Sequence, residues 1–273
     1  MEDDRSNFRL RDTAFGTRGW YSPVAPLRLG GSASIYVPDL GPGASDSVPS
    51  IEDAFPVSTI PGGFSQPVFR RYRGIAELIY PFISDPEVAA ESDSYRGAYQ
   101  VAVEAAQDVD DGRHDFHRWE AGVQQRFPGF KSGQRLTLNG FIASTNTDAD
   151  VPFFMLYTLG GSGGLKAFRP DLLGSDGTRA TLRGFRNYRF RDRDLVLMQA
   201  EYRIPLYKNI HSTVFVDSGQ VAPHVSDLFD DIRTSTGFSL SYVSKGRAIG
   251  RLDVGCCGGE GVQVFFNVGV FQN

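Results

Sequence analysis

The chain has 273 residues, with 28 basic against 32 acidic side chains and a formal net charge of −4. That length allows one large domain or two small ones, and the charge removes the general electrostatic case for nucleic acid, which needs a basic face to release counterions. Thirty-one glycines, 21 Phe and 11 Tyr favour strands and turns over helices.

The N-terminus, MEDDRSNFRLRD, has neither the basic n-region nor the apolar h-region of a signal peptide. No apolar run reaches the roughly 18–20 residues of a transmembrane helix. Taken alone, these absences describe a soluble chain. The period of the sequence points elsewhere.

Period-two alternation predicts strands over 9–21, 26–38, 67–82, 93–107, 113–127, 132–145, 152–159, 194–205, 209–220, 234–244, 248–256 and 261–271. In the second, Leu27, Leu29, Ala33, Ile35 and Val37 alternate with Arg28, Ser32, Ser34 and Tyr36. In the fourth, Tyr95, Tyr99, Val101 and Val103 alternate with Arg96, Gln100 and Glu104. Segment 152–159 is short and reads as the stem of the loop after it, leaving eleven main strands. Helix is expected only in VSDLFDDI, near residue 228.

Short connections (SPVAP, PGFKSGQ, LYKN, SKGR) alternate with long ones at 39–66, 147–193 and 221–233; segment 83–92 is intermediate. This is the layout of an up-and-down transmembrane β-barrel, whose strands need about 9–11 residues to cross a bilayer. A lipocalin-like barrel or a β-sandwich also alternates, but with shorter strands and the apolar face inward. Here the polar parity carries Arg118, Glu120 and Arg126, which suits a wet lumen.

The candidate sites for enzyme chemistry are poor. Cys256 and Cys257 are adjacent and have no nearby histidine, so they read as plain strand or turn residues. His114 and His117 fall on opposite strand faces and cannot share a metal. Ser162 in GGSGG lacks the strand–elbow–helix setting of a hydrolase nucleophile, and GGSGG lacks the helix and lysine of a phosphate loop. The expectation is no enzyme, no catalytic or metal-binding residues and no cofactor.

LRGFRNYRFRDRD, residues 182–194, holds five arginines. Four features in order carry a family resemblance: GGSGG followed by LRGF, then FVDSGQV, then RLDVG, then FFNVGVF at the chain end. The chain resembles the C-terminal barrel of the BamA/TamA outer-membrane assembly factors (the bacterial surface antigen superfamily), firmly over 65–273 and loosely over 1–64. The resemblance implies an all-β, antiparallel up-and-down barrel in the bacterial outer membrane, with a loop folded back into its lumen. It assigns the lumen-loop motif to Arg183, Gly184 and Phe185. The strand motif is carried over onto Phe215 and Gly219, and the C-terminal strand signal onto Phe266, Asn267, Gly269 and Phe271. Strand parity places Asp217 and Glu201 toward the lumen, since a lipid-facing charge costs about 2–4 kcal/mol at midplane. In the family such an arginine anchors its loop on the wall aspartate. Arg183 is therefore expected to hold Asp217, with Glu201 as a second partner, and an Arg183→Asp, Asp217→Arg swap to rescue in part. Arg186, Arg189, Arg191 and Arg193 are expected to dress the loop.

The chain departs from the family by the insertion LKAFRPDLLGSDGTRAT, by the absence of upstream periplasmic repeats, and by Gln272 and Asn273 after Phe271. Family barrels have sixteen strands, five of them after the loop; here five follow it and about six precede it. Residues 1–273 are thus expected to form a single incomplete barrel domain, a C-terminal portion with open edges left by fragmentation or a mis-assigned start codon. The function the resemblance implies is insertion of outer-membrane proteins or translocation of partner proteins. Its partners would be outer-membrane lipid, unfolded client chains and accessory assembly subunits, with no nucleic acid. The alternative is a passive pore or structural surface antigen.

Overall fold

Alternating residues put every second side chain on one face, and long runs of such alternation fold here as long antiparallel strands. The computed structural model describes residues 6–43, 48–81, 94–146, 150–162, 182–244 and 247–272. The strands are β1 (Phe8–Val24), β2 (Leu27–Pro42), β3 (Phe69–Tyr80), β4 (Arg96–Asp108), β5 (Phe116–Pro128), β6 (Arg135–Asn146), β7 (Tyr157–Leu159), β8 (Phe190–Asp192), β9 (Asp194–Tyr207), β10 (Ile210–Ala222), β11 (Arg233–Ser244), β12 (Arg247–Cys256) and β13 (Gln263–Gln272).

Eleven of them form one sheet in the order β1-β2-β3-β4-β5-β6-β9-β10-β11-β12-β13, while β7 and β8 pair only with each other. The meander is therefore sequential except between β6 and β9, where the long connection carrying β7 and β8 intervenes. β1 and β13 are the two ends of the order and do not pair with each other, so the sheet is open. The fold is all-β and the expected eleven main strands are the sheet. The segment expected as a strand at 152–159 is instead a 3-10 turn at Phe153–Met155 followed by the three-residue β7. Helix was expected only near residue 228, where a 3-10 turn spans Val225–Asp227. A further short helix, α1 (Ile51–Ala54), and a 3-10 turn at Val57–Thr59 lie in the β2–β3 connection. Their two short turns are too brief for a 3.6-residue period to be read from sequence. The insertion at 165–181 and segment 83–92 lie outside the described residues.

The two faces are inverted relative to a water-soluble barrel. The outer face shows Phe15, Ile35, Tyr72, Val101, Val103, Trp119, Val214, Val216, Phe238, Val264, Phe266 and Val268, with Phe15 82% exposed and Val103 63% exposed. The inner face buries Arg71, Glu104, Arg118, Arg126, Arg135, Gln199, Asp217 and Asp253. Apolar side chains outward and charges inward is the arrangement a bilayer selects.

The inner face is not simply wet, as the sequence suggested. Glu104 is 4% and Arg118 3% exposed because chain folds back over them. Phe153, Phe154 and Met155 pack with Tyr36, Phe69, Phe116 and the α1 residue Ile51 in one apolar cluster. Tyr157, Leu159, Leu182 and Phe185 pack with Ala143, Leu195 and Leu197 in another. The core is thus supplied by the β6–β9 connection, pressed against the sheet that flanks it.

Candidate functional site

The returning loop is closed at its base before it meets the wall. Gly161 bridges Leu182, and the Gly161 N–H donates to the Phe185 carbonyl at 3.1 Å. This presents Arg183, 2% exposed, to β9, β10, β11 and β12. Its Nε donates to Asp217 Oδ2 at 2.7 Å and its Nη2 to Oδ1 at 2.6 Å, a bidentate fork. The Arg183 amide donates to the same carboxylate at 3.1 Å. Nη1 lies 2.7 Å from Glu201 Oε1, an ion pair outside hydrogen-bond geometry, and 3.8 Å from Asp253 Oδ1. The guanidinium also stacks 3.5 Å from the centre of the Phe215 ring.

The three carboxylates are held from behind. Gln199 Nε2 donates to Asp217 Oδ1 at 3.0 Å. Arg251 donates to Asp253 Oδ1 at 2.7 Å and to Glu201 Oε1 at 3.3 Å. Ser239 donates to Asp253, and the Ser235 hydroxyl donates to the Arg183 carbonyl. Two guanidinium groups therefore face three carboxylates, with Gln199, Ser239 and Asn267 supplying the remaining donors.

Backbone clearance decides whether the loop can sit this close. Gly184 has φ +97°, and a Cβ there would lie 2.7 Å from Ser235 Cβ. Gly255 on β12 faces it. The Gly255→Ala substitution puts a methyl group 2.5 Å from the Gly184 amide nitrogen, against backbone that has no side-chain rotamer to yield. We expect it to lift the loop while leaving the sheet intact, seen as new protease cleavage within residues 182–193 at unchanged heat-modifiable gel mobility.

Phe185 is 2% exposed and packs edge-on to Phe190 at 5.2 Å, against the face left open by Gly258. Gly219 leaves room for Leu159, since a Cβ there would lie 3.2 Å from the leucine Cδ1. Arg186 and Arg189 bind Glu260 in the β12–β13 connection, through the Arg186 amide at 3.1 Å and the Arg189 side chain. Burial would push the Glu260 carboxyl up, but these donors outweigh it and hold it below the usual range. Arg191 donates to the Phe153 carbonyl at 2.6 Å, and the Arg193 amide to Asp192 at 2.8 Å.

The sequence-derived residues fall into two groups. Arg183, Gly184, Phe185, Glu201, Asp217 and Phe215 meet in one dock. Asn267 joins its edge, donating to Ser162 at 2.8 Å and to Asp253 at 3.5 Å, so the last strand touches the loop stem. Phe266 points outward instead, 73% exposed. Gly269 sits where the β12–β13 register slips, and the Phe271 backbone pairs with Ala248 far from the dock. Asp253, Arg251 and Ser235 are dock residues that sequence reasoning missed. The signal lay inside RLDVG, whose Asp253 pairs with Ser239 on the same inner parity. Cys256 ends β12 and Cys257 follows it at φ 73° with the two sulfurs in contact, and no three potential metal ligands cluster among the described residues.

A sheet that is apolar outside and charged inside, with its own loop clamped on the charged face by a buried arginine, defines a membrane β-barrel wall with a lumen-docked loop. Residues 58–256 match the Omp85 superfamily domain, and the chain belongs to that superfamily of outer-membrane β-barrel proteins, whose members serve assembly and translocation of other proteins. Among solved structures it is similar to the BamA of Haemophilus ducreyi lacking POTRA domains 1–3, at 14% identity and a TM-score of 0.49. The match covers 97% of this chain and 62% of that one, so the chain spans less than two thirds of that relative's length. A comparison with curated proteins returned no match.

Proposed function

We propose that this chain is the loop-bearing wall of an outer-membrane barrel that handles client polypeptides, inserting them into the membrane or passing them across it, with no enzymatic step of its own. The observation that supports this most is the dock. Arg183, Asp217, Glu201 and Asp253 fix one loop across four strands, and Asn267 links that loop to the last strand. A loop coupled to an unpaired strand edge can transmit events at that edge to the lumen.

The chemistry at the edge is β-augmentation. β13 presents one unpaired row of backbone donors and acceptors, to which a client strand can add. Its register slip opposite Gly269 weakens local pairing with β12. The outer face would meet outer-membrane lipid, the short turns would lie in the periplasm, and the long connections would lie outside the cell.

Depletion of the full-length gene product tests the reading. We expect outer-membrane protein levels or secreted-protein levels to fall. Unchanged levels of both would reject a client-handling role and favour a passive pore or surface antigen.

A further inference from the structure

Cys256 and Cys257 read from sequence as plain strand or turn residues, and the structure gives them a further property. Their sulfurs lie 2.7 Å apart. Both thiols are free, and Cys257 is exposed. A disulfide needs about 2.05 Å between its sulfurs, so the pair is already nearer to bonding distance than to ordinary packing. Thr236 on β11 meets the Cys256 sulfur from the neighbouring strand, at 3.9 Å. A hydrogen bond from Cys256 holds the Cys257 thiol below its ordinary range, and Thr236 adds to the effect. A thiolate is the nucleophile in sulfur exchange, so Cys257 is the one that reacts first.

These two residues open the β12–β13 connection, which clasps the loop motif. The Cys256 carbonyl oxygen lies 3.0 Å from where a Gly184 Cβ would be. Gly258 leaves room for the Phe185 ring, and Glu260 accepts from the Arg186 amide at 3.1 Å and pairs with the Arg189 side chain. The carbonyl against Gly184 belongs to the peptide that joins the two cysteines. Consecutive Cα atoms are about 3.8 Å apart, below the roughly 4.4–6.8 Å that a disulfide takes. Closing the bond therefore twists that peptide, and the twist is delivered to the contact with Gly184.

We propose that Cys256 and Cys257 are a reversible modification site, at which a low-molecular-weight disulfide oxidises the pair to an intramolecular disulfide and loosens the clasp on residues 183–189. The Cys257 thiolate attacks one sulfur of the reagent, whose S–S bond breaks and releases one thiol. Cys256 gives up its proton and attacks the Cys257 sulfur of the mixed disulfide, releasing the second thiol. The two cysteines lose two electrons and two protons, and the reagent leaves as two thiols. The strained bond so formed is open to reduction by the reverse exchange. The superfamily's outer-membrane setting lies beyond the reducing cytosol, where such thiols meet oxidants.

The test starts from the full-length protein, reduced in detergent micelles and then given oxidised glutathione at mildly alkaline pH. A tryptic cut after Arg251 isolates both cysteines on one peptide. That peptide is expected to lose two hydrogens in mass and to resist alkylation, and dithiothreitol should restore both. Protease cleavage within residues 182–193 is expected to rise about fivefold on oxidation and to fall back on reduction. The Cys256→Ser, Cys257→Ser double variant should show no rise. Two alkylatable thiols after oxidant treatment, or a glutathione adduct that never closes to the ring, would overturn the site. Ring closure with unchanged cleavage, or an equal rise in the double variant, would overturn its hold on the loop. Should the double variant lose heat-modifiable mobility, the reversal by dithiothreitol in the unsubstituted protein decides.

Discussion

Arg183→Ala is expected to release the loop from the barrel wall and abolish client handling while the strands remain inserted. The reason is asymmetry between making and breaking a buried ion pair. Removing one partner leaves the other uncompensated, at a cost of about 3–5 kcal/mol. Here the abandoned partners are three: Asp217 and Asp253, both fully buried, and Glu201. Arg251 can turn to Glu201 and Asp253, which it already contacts, but Asp217 would keep only Gln199 and the amide of residue 183. Undocking is the cheaper outcome, since it lets water reach the carboxylates. The checks are protease accessibility of residues 182–193, heat-modifiable mobility, and a client-assembly assay in cells. A protected loop with normal assembly would show that the arginine is dispensable.

The same geometry revises what strand parity suggested for a charge swap. With Asp217 as principal partner, exchanging Arg183 and Asp217 should restore one pair. The structure places Glu201 and Asp253 around the same guanidinium. An aspartate at 183 would face both, and an arginine at 217 would meet them from the β10 wall, without the fork that the loop presents. We therefore expect the double variant to be no better than Arg183→Ala. Arg183→Lys should retain part of the function, because a lysine keeps the charge but cannot make the bidentate fork.

Much of the fold was legible because a bilayer imposes one rule on every strand. Val101 and Val103 outward with Gln100 and Glu104 inward is a pattern that length and parity alone identify, and it holds from β2 to β13. Asp217 was legible for the same reason, since Val214 and Val216 fix its face. What parity cannot supply is depth along the loop. Nothing in the spacing of Phe153, Phe154 and Met155 says that they turn inward as a 3-10 turn and cover Arg118, because that outcome depends on Tyr36, Phe69 and Phe116 being opposite. Asp253 escaped notice for a related reason. It occupies an inner position like many others, and its place in the dock depends on how β12 curves toward Gly184, a three-dimensional fact carried by Gly255.

Glu104→Leu should be the most destabilising substitution on the opposite wall, with a loss of about 3–5 kcal/mol for a buried charge network broken at one partner. Glu104 accepts from Arg71 Nε at 3.1 Å and from Arg71 Nη2 at 2.8 and 3.0 Å, and from Arg73 Nη1 at 3.1 Å. Arg118 lies close enough to be attracted as well. Glu120 takes the other end of Arg73 and a 3.2 Å hydrogen bond from the Tyr157 hydroxyl. Arg118 donates to the Met155 carbonyl at 2.8 Å, so the network ties the sheet to the inward-turned segment. A leucine fills much of the glutamate's volume but removes the carboxylate from between Arg71, Arg73 and Arg118, so that their like charges repel. The folded chain can relieve that repulsion only by admitting water, which means lifting Phe153–Met155 off the wall. The expected readouts are a lower urea midpoint for loss of heat-modifiable mobility and faster proteolysis near residue 155. Val103→Ala, one residue away on the outer face, should leave both nearly unchanged in detergent. Equal midpoints for Glu104→Leu and the unsubstituted protein would mean that water already reaches this network, and that the inward-turned segment is held by its apolar contacts alone.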